Sequence, residues 1–102
     1  MSDVIGQKAA ILKALGHPTR LFIAERLLGG STCVCELVDE IDADFSTVSH
    51  HLSILRNHGI VRSDKQGRSV YYTLEMPCLI RTLDCVERII QRKAENALEA
   101  QR

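Results

Sequence analysis

Two cysteines, Cys33 and Cys35, stand one residue apart in the segment GGSTCVCELVDEID, and acidic residues follow them closely. Two thiols at this spacing either pack in a core, form a redox pair or bind a soft ligand. Thiolates are soft ligands for Zn(II), Cd(II), Pb(II) and As(III), and As(III) favours three sulfur atoms. A helix N-terminus favours the thiolate form that such binding needs. Cys33 and Cys35 are therefore the first candidates for metal or metalloid ligands.

The spacing of this pair conflicts with a regular helix. Residues i and i+2 of an α-helix point about 200° apart, so two sulfurs at these positions do not face one ion. Binding by both sulfurs therefore requires the pair to lie at the loosened edge of a first helical turn, or the helix to distort. In either case, an ion that draws the sulfurs together disturbs the helix that carries them.

The other two cysteines, Cys78 and Cys85, are seven residues apart and fall in the last predicted helix. Seven residues are two helical turns, so the two thiols lie roughly on one face, where either is a candidate third ligand or part of a separate thiol site. A free cysteine also behaves as a small buried hydrophobe. The apolar neighbours Leu83 and Val86 favour packing for Cys85, whereas Pro77 places Cys78 at a helix start and favours reactivity.

The elements before the cysteines follow from apolar spacing and local punctuation. Apolar residues at helical spacing predict a helix over 4–15. Pro18 near the start and the glycines at 29–30 beyond the end bracket a second helix, with His17 as a structural or capping residue before it. Five apolar residues form the predicted buried side of this helix: Leu21, Phe22, Ala24, Leu27 and Leu28.

A third, short helix is predicted to contain the cysteine pair and to begin at Ser31 or Thr32, since either can cap it. A tight turn follows, in which Asp44 caps a fourth helix that stops at Gly59. The buried residues of this fourth helix recur at i, i+4 and i+7: Val48, Leu52 and Leu55. Two short helices joined by about three residues form a helix-turn-helix, here over about 32–58.

Two strand-like runs, IVRSD and RSVYYTL, come next, with Lys65, Gln66 and Gly67 between them as a loop. Alternating β-branched and aromatic residues around a glycine-containing loop predict a β-hairpin over about 60–74. Pro77 then opens a last helix over about 78–98. The apolar stripe of this helix exceeds what so small a core needs: Leu79, Ile80, Leu83, Val86, Ile89 and Ile90.

The order of these elements predicts a mainly α fold with a β-hairpin wing, a winged helix-turn-helix, in a single domain over residues 1–102. In a helix-turn-helix the second helix lies in the major groove and its early exposed residues meet base edges. The exposed polar residues of that helix and of the wing are therefore candidates for DNA contact: Ser46, Thr47, Ser49, His50, His51, Arg56, Lys65, Gln66 and Arg68. Hydroxyls and imidazoles can bond to bases or phosphates, whereas Arg56 is expected to contact the backbone or a neighbouring acid.

The formal net charge is +0, but the charges are segregated along the chain. Residues 30–45 carry five acids and no Lys or Arg, whereas residues 46–72 carry four bases against one acid. A neutral total therefore does not exclude DNA. No apolar run approaches the ~20 residues of a membrane span, and the first ten residues lack the layout of a signal peptide. We expect a cytoplasmic protein without a membrane partner, in which thiols stay reduced.

Four segments together resemble the ArsR/SmtB family of metalloregulatory winged-helix repressors: HPTRLFIAERLL, CVCELVDEI, STVSHHLSILRNHGIV and KQGRSVYYTL. The resemblance covers about residues 5–90. It implies a homodimer, built mainly from the first and last helices, that binds a double-stranded operator with an inverted repeat and releases it on binding an inducer.

Within that family, Cys33 and Cys35 resemble the arsenic/antimony and cadmium/lead sensing sites. The sequence departs from the arsenic type at Val38, where that type has a third cysteine, and it has no N-terminal cysteine of the cadmium type. The third ligand is then Cys78, Cys85, a partner-chain cysteine, a small thiol or water. The zinc site of the family uses histidines of the last helix, and residues 79–102 contain none.

These features favour a non-enzymatic repressor of a metalloid- or metal-resistance operon, released from DNA when As(III) or Sb(III) binds Cys33 and Cys35. Cd(II), Pb(II) and Zn(II) are further candidate inducers, and no organic cofactor is expected. An alternative keeps the fold and DNA but replaces the ion with oxidation or persulfide chemistry at a cysteine pair. A third reading, a thiol-disulfide enzyme, is disfavoured because no thioredoxin-like βαβ pattern accompanies the thiols.

Overall fold

The computed structural model of the chain describes residues 2–101. Met1 and Arg102, the two ends of the predicted domain, lie outside the described residues. The elements, in chain order, are α1 (Asp3–Leu15), α2 (Pro18–Leu27), β1 (Thr32–Cys33), α3 (Val34–Ile41), α4 (Phe45–Asn57), β2 (Val61–Gln66), β3 (Ser69–Leu74), α5 (Pro77–Arg81) and α6 (Leu83–Ala100).

The first two helices begin at local capping signals. Ser2 caps α1 by accepting a hydrogen bond from the N–H of Ile5 at 3.3 Å. His17 caps α2, because its Nδ1 accepts from the N–H of Thr19 at 3.1 Å, and Pro18 follows in the first turn. The predicted capping role of His17 is confirmed. The predicted buried side of α2 is wrong at Phe22, which is exposed, whereas its neighbour Ile23 is fully buried.

The helix-turn-helix consists of α3 and α4. Asp42 adopts a left-handed conformation with φ 57° and ends α3, since its N–H donates to the carbonyl of Val38 at 3.1 Å. Asp44 caps α4, as predicted, by accepting from the N–H of Thr47 at 2.8 Å. The predicted start of the third helix is wrong: Thr32 lies in strand β1, and the cap is Cys33.

The three strands form an antiparallel sheet in the order β1-β3-β2. The hairpin register runs from Val61 opposite Leu74 to Gln66 opposite Ser69. Lys65 and Gln66 therefore belong to β2 and not to a loop as predicted, because pairing continues to a two-residue turn. Gly67 opens that turn with φ 64°, a conformation that glycine adopts without a Cβ penalty.

The predicted last helix is interrupted at Thr82, which separates α5 from α6. The Thr82 hydroxyl donates to the carbonyl of Leu79 three residues earlier, and such back-bonding bends helices. Ile80 of α5 is buried, whereas α6 contains no buried residue within the described part of the chain.

One hydrophobic core joins the helices to the sheet. Seven large side chains in it are fully buried: Ile23, Leu37, Val48, Leu52, Leu55, Ile60 and Ile80. The predicted inward face of the fourth helix is thereby confirmed. The fold class, mainly α with a β-hairpin wing around a helix-turn-helix, is confirmed as well. Across residues 2–101, none of the helices combines the length and the apolar character that a bilayer crossing requires.

Candidate functional site

Cys33 and Cys35 meet at the junction between β1 and α3. Cys33 caps the helix from extended backbone with φ −68° and ψ 142°, so it lies outside the helical spiral. The Cα atoms are 5.3 Å apart and the two Sγ atoms are joined as a disulfide. Cys33 is 3% exposed, whereas Cys35 is exposed to solvent. The junction thus removes the geometric conflict that a regular helix would impose on this spacing.

The backbone of Cys33 connects the pair to both elements that are predicted to meet DNA. In the sheet, Cys33 is paired with Tyr71 of β3, one of the two strands of the wing. In the helix-turn-helix, Cys33 Sγ accepts a hydrogen bond from the N–H of Cys35 at 3.3 Å and so begins α3. Because α3 packs against α4, Cys33 is linked by backbone pairing to the wing and through α3 to α4.

Arg26, in the last turn of α2, contacts residues that precede and follow the cysteine pair in the chain. Its Nε donates to the two carboxylate oxygens of Glu40 at 2.9 and 3.0 Å, and its Nη2 lies 3.6 Å from Glu36. Its Nη1 donates to the hydroxyl of Thr32 at 3.4 Å. Sequence reasoning missed this residue, because its hydrogen-bond partners lie 6 and 14 residues away and no local spacing marks them.

Cys78 and Cys85 are free thiols and both are exposed. The packing predicted for Cys85 is therefore wrong for the single chain. Thr82 separates the helices that carry them, and the shared face of the two thiols stays a prediction. Within residues 2–101, no three His, Cys, Asp or Glu side chains gather into a metal-binding group, so the structure brings neither thiol to the Cys33–Cys35 pair as a third ligand.

The outer face of α4 presents most of the side chains predicted to contact DNA. Ser46, Thr47 and His50 are exposed and Ser49 is half-buried. His51 was expected to point partly outward, and this expectation is wrong: the side chain is 9% exposed and lies behind the helix. The reason is the helical period, which places position 51 between the buried residues Val48 and Leu55.

The buried His51 fills the space between α4 and the start of α2. Its ring centroid lies 4.6 Å from that of His17 and 6.0 Å from that of His50, and its Nδ1 is 3.5 Å from Arg20 Nη1. Burial lowers the pKa of His51, and the nearby charges of His17, Arg20 and His50 lower it further. His51 is consequently a neutral packing residue at neutral pH.

The end of α4 and the tip of the wing carry cations that form no ion pair within residues 2–101. Lys65, Gln66 and Arg68 are exposed at the hairpin tip. Arg56 donates to the hydroxyl of Ser63 on β2 at 3.5 Å, which links α4 to the wing, and not to a neighbouring acid. Among residues 2–101, no acidic side chain pairs with Arg56, Lys65 or Arg68.

Arg62 differs from these cations because it lies between two acids. Its guanidinium is 3.0 Å from Glu75 and 3.5 Å from Asp64. The hydrogen bond and charge of Glu75, followed by those of Asp64, raise the pKa of Arg62. Within the helix-turn-helix and the wing, basic charge without an acidic partner therefore lies at Arg56 and at the hairpin tip.

Comparisons with known proteins agree with this geometry. Residues 17–63 match the family model described as bacterial regulatory protein, arsR family. An HTH-type transcriptional regulator of Methanocaldococcus jannaschii is 48% identical over 68 residues, which cover 65% of this chain and 76% of the relative. A cadmium resistance transcriptional regulatory protein CadC homolog of Staphylococcus aureus is 44% identical over 68 residues, covering 66% of this chain and 56% of that relative.

Solved structures show the same architecture. HlyU from Vibrio cholerae superimposes with a TM-score of 0.79 at 31% identity, covering 84% of this chain and 97% of that chain. A homodimeric winged helix-turn-helix DNA-binding domain from Mycobacterium bovis superimposes with a TM-score of 0.78 at 25% identity, covering 94% of this chain and 93% of that chain.

Proposed function

This chain belongs to the ArsR/SmtB family of winged-helix transcriptional regulators, and from that premise we propose that it is a repressor whose affinity for DNA is controlled by Cys33 and Cys35. In the proposed cycle a homodimer in the cytoplasm binds an inverted-repeat operator of a metalloid- or metal-resistance operon. It leaves the operator when a thiophilic ion, As(III) or Sb(III) first among them, binds the two sulfurs.

The single observation that carries this proposal is the meeting of the two Sγ atoms at the β1–α3 junction. Two close sulfurs suit soft ions, for which thiolate is the preferred ligand. Ion binding requires the reduced pair, with both thiols deprotonated, and a third ligand from a partner chain, a small thiol or water. Cd(II), Pb(II) and Zn(II) remain candidates, and the cadmium resistance name of one relative supports this class of inducer.

The physical basis of release is the double attachment of Cys33. Any change in the position of its sulfur alters the cap of α3, and the paired backbone alters β3 of the wing. DNA binding requires α4 and the wing to keep one relative placement, because both contact the same half-site. A site that shifts both attachments can therefore weaken DNA binding without touching DNA.

The experiment is a DNA-release titration with reduced, metal-free protein. A duplex is first selected from a random library with the wild-type chain, and its affinity is followed by fluorescence anisotropy during addition of As(III), Sb(III), Cd(II), Pb(II) or Zn(II). Saturation with the true inducer is expected to weaken binding by roughly 5- to 150-fold, the usual range of allosteric coupling. The double variant Cys33→Ser/Cys35→Ser should bind the duplex normally and not respond.

The matched control is Cys78→Ser/Cys85→Ser, which removes the two exposed thiols outside the junction. If this control still responds, the Cys33–Cys35 pair suffices within the chain. A normal response in Cys33→Ser/Cys35→Ser, or a response lost only in the control, would contradict the assignment.

The disulfide between Cys33 and Cys35 favours a second candidate function, thiol redox or persulfide sensing. In this chemistry the exposed Cys35 thiolate attacks a low-molecular-weight disulfide or persulfide and expels a thiolate. Cys33 thiolate then attacks the mixed disulfide at Cys35, closes the S–S bond and releases the second thiol, so the oxidant takes both electrons. Release of DNA by such an oxidant in the presence of a chelator, with a mass loss of two hydrogen atoms, would favour this candidate over ion binding.

Dimerisation is supported by apolar residues left exposed on α1 and α6, and by the homodimeric state of the Mycobacterium bovis domain. The exposed apolar residues of these helices are Val4, Ile5, Leu12, Val86, Ile89, Ile90 and Leu98. Ile90→Glu should shift the chain toward monomer in sedimentation experiments and weaken binding to a duplex with two half-sites. Gln91→Glu adds the same charge to another side of α6 and should remain dimeric; monomers in both variants would point to general repulsion.

A further inference from the structure

Phe45 is the exposed large apolar residue of α4. Its side chain is 60% exposed, and the other exposed large apolar residues of the described chain lie on α1, α2 and α6. Phe45 belongs to neither α1 nor α6, the helices proposed for dimerisation, and it stands in the first turn of the second helix of the helix-turn-helix, where side chains reach base edges. This residue was not singled out from the sequence. The available signal was that Phe45 is apolar but does not belong to the i, i+4, i+7 series that predicts the buried face of the helix.

The backbone at Phe45 is fixed by hydrogen bonds of the neighbouring residues, whereas its ring is largely exposed to solvent. Phe45 is the first residue of α4, directly after the cap Asp44, whose carboxylate accepts from the N–H of Thr47 at 2.8 Å. The carbonyl of Asp44 accepts from the N–H of Val48 at 3.2 Å, and Val48 is fully buried. An aromatic ring on such a backbone loses little conformational freedom when it binds.

We propose that Phe45 is a specificity-determining residue that contacts the C5-methyl group of a thymine in the major groove. The N-terminal residues of the second helix of a helix-turn-helix reach base edges, and thymine is the base that presents a methyl group there, a partner that phenylalanine suits. This inference rests on the proposed DNA-binding function and adds a preference for thymine at one position of each half-site.

The charges around Phe45 favour a base over the phosphate backbone. Asp42 and Asp44 precede Phe45 in the chain and both are exposed, and carboxylates repel phosphates. Within the helix-turn-helix and the wing, the cations without an acidic partner lie away from this end of α4, at Arg56 and on the hairpin tip. The start of α4 is thus poor at holding a phosphate and suited to an apolar contact within the groove.

The test removes the methyl group and the ring separately. In the duplex selected with the wild-type chain, each thymine of one half-site is replaced in turn by deoxyuridine, which keeps the pairing edge and lacks the methyl. Affinities are measured for wild type, Phe45→Ala and Phe45→Leu. At one thymine the loss of the methyl should weaken wild-type binding about fourfold, the value of one buried methyl or methylene group. The same replacement should leave Phe45→Ala unaffected and give Phe45→Leu an intermediate loss.

Phe22→Ala is the matched control, since Phe22 is also an exposed phenylalanine (44% against 60%) but lies on α2. It should keep the full sensitivity to deoxyuridine, and circular dichroism should show unchanged helix content in all variants. The inference is overturned if no thymine is sensitive, or if wild type and Phe45→Ala lose affinity equally at every thymine; the second result would direct Phe45 to a protein partner. Failure to select any duplex would instead refute the proposed function.

Discussion

The two helices of the helix-turn-helix begin in different ways. At the start of α4 a carboxylate oxygen of Asp44 accepts a backbone N–H at 2.8 Å, whereas at the start of α3 the sulfur of Cys33 accepts one at 3.3 Å. Sulfur is a weak acceptor, and hydrogen bonds to an ionised group are shorter and stronger. The hydrogen bonds from Thr47 to Asp44, that of the side chain first, lower the pKa of the carboxyl.

This difference separates the proposed sensing element from the proposed reading element. Helix α4 is fixed by a charged cap at its start and by the buried His51 in its middle, which suits an element that must present side chains to DNA in a set geometry. In the reduced protein the start of α3 depends on a weak sulfur cap, so a ligand that binds the sulfur displaces only a weak hydrogen bond. A switch is more effective where the native structure is held least tightly.

The largest expected effect tests how much the buried face of α4 contributes to stability. His51→Ala removes a buried ring from between α4 and α2 and should lower the free energy of unfolding by about 0.5–3 kcal/mol in urea denaturation. His50→Ala, one residue away on the exposed face, should change that free energy by less than about 0.5 kcal/mol and should weaken DNA binding. Equal destabilisation by both variants would show that the inner and outer faces of α4 are not distinct.

The pH dependence of stability sharpens the same point. The pKa of His51 in the native state is below the ordinary histidine value of 6.5, so the unfolded chain binds more protons between the two pKa values. Stability should therefore be fully present above pH 6.5 and decline as pH falls from there through the native pKa. His51→Gln should flatten this part of the profile relative to wild type. An unchanged slope between pH 5 and pH 7 would argue against a buried neutral imidazole.

Local signals in the sequence were sufficient for most of the fold. Asp44, His17 and Pro18 marked helix starts through hydrogen bonds or fixed dihedrals that involve only neighbouring residues. The same is true of the buried series in α4, since the helical period alone determines it. The same period also puts His51 on the buried face of α4, between Val48 and Leu55. The polar ring of this histidine indicated an exposed position, which is why its burial was not predicted.

The features that could not be predicted depend on contacts between distant residues. Thr32 and Cys33 became a strand because β3, about forty residues later, offers an edge for pairing. Arg26 of α2 lies beside the cysteine pair because it forms ion pairs with Glu36 and Glu40 of α3. Both errors fell at the cysteine junction, where the cap is unusual and the proposed function lies.

A smaller effect tests the charged cap itself. Asp44→Ala should lower the midpoint of urea denaturation because the N–H of Thr47 loses its acceptor, and Asp44→Asn should lower it less because an oxygen remains. Since the native pKa of Asp44 is below 3.8, its charged form contributes stability above that pH, and the contribution is lost as pH falls through the native pKa. Asp44→Ala and wild type should therefore converge in acid. A constant difference down to pH 2 would show that the carboxylate charge is irrelevant.

The smallest expected effect on stability belongs to Cys35→Ser in reduced protein. Cys35 is exposed and its N–H, not its sulfur, makes the cap hydrogen bond to Cys33, so the free energy of unfolding should change by less than about 0.5 kcal/mol. Affinity for the selected duplex should also be unchanged, whereas release by As(III) should be lost. Because neither the cap nor the core is altered, the lost release could be assigned to the sulfur itself. Destabilisation as large as that of Asp44→Ala would instead mean that the Cys35 sulfur itself stabilises the start of α3, and the lost release could not be separated from a loosened helix.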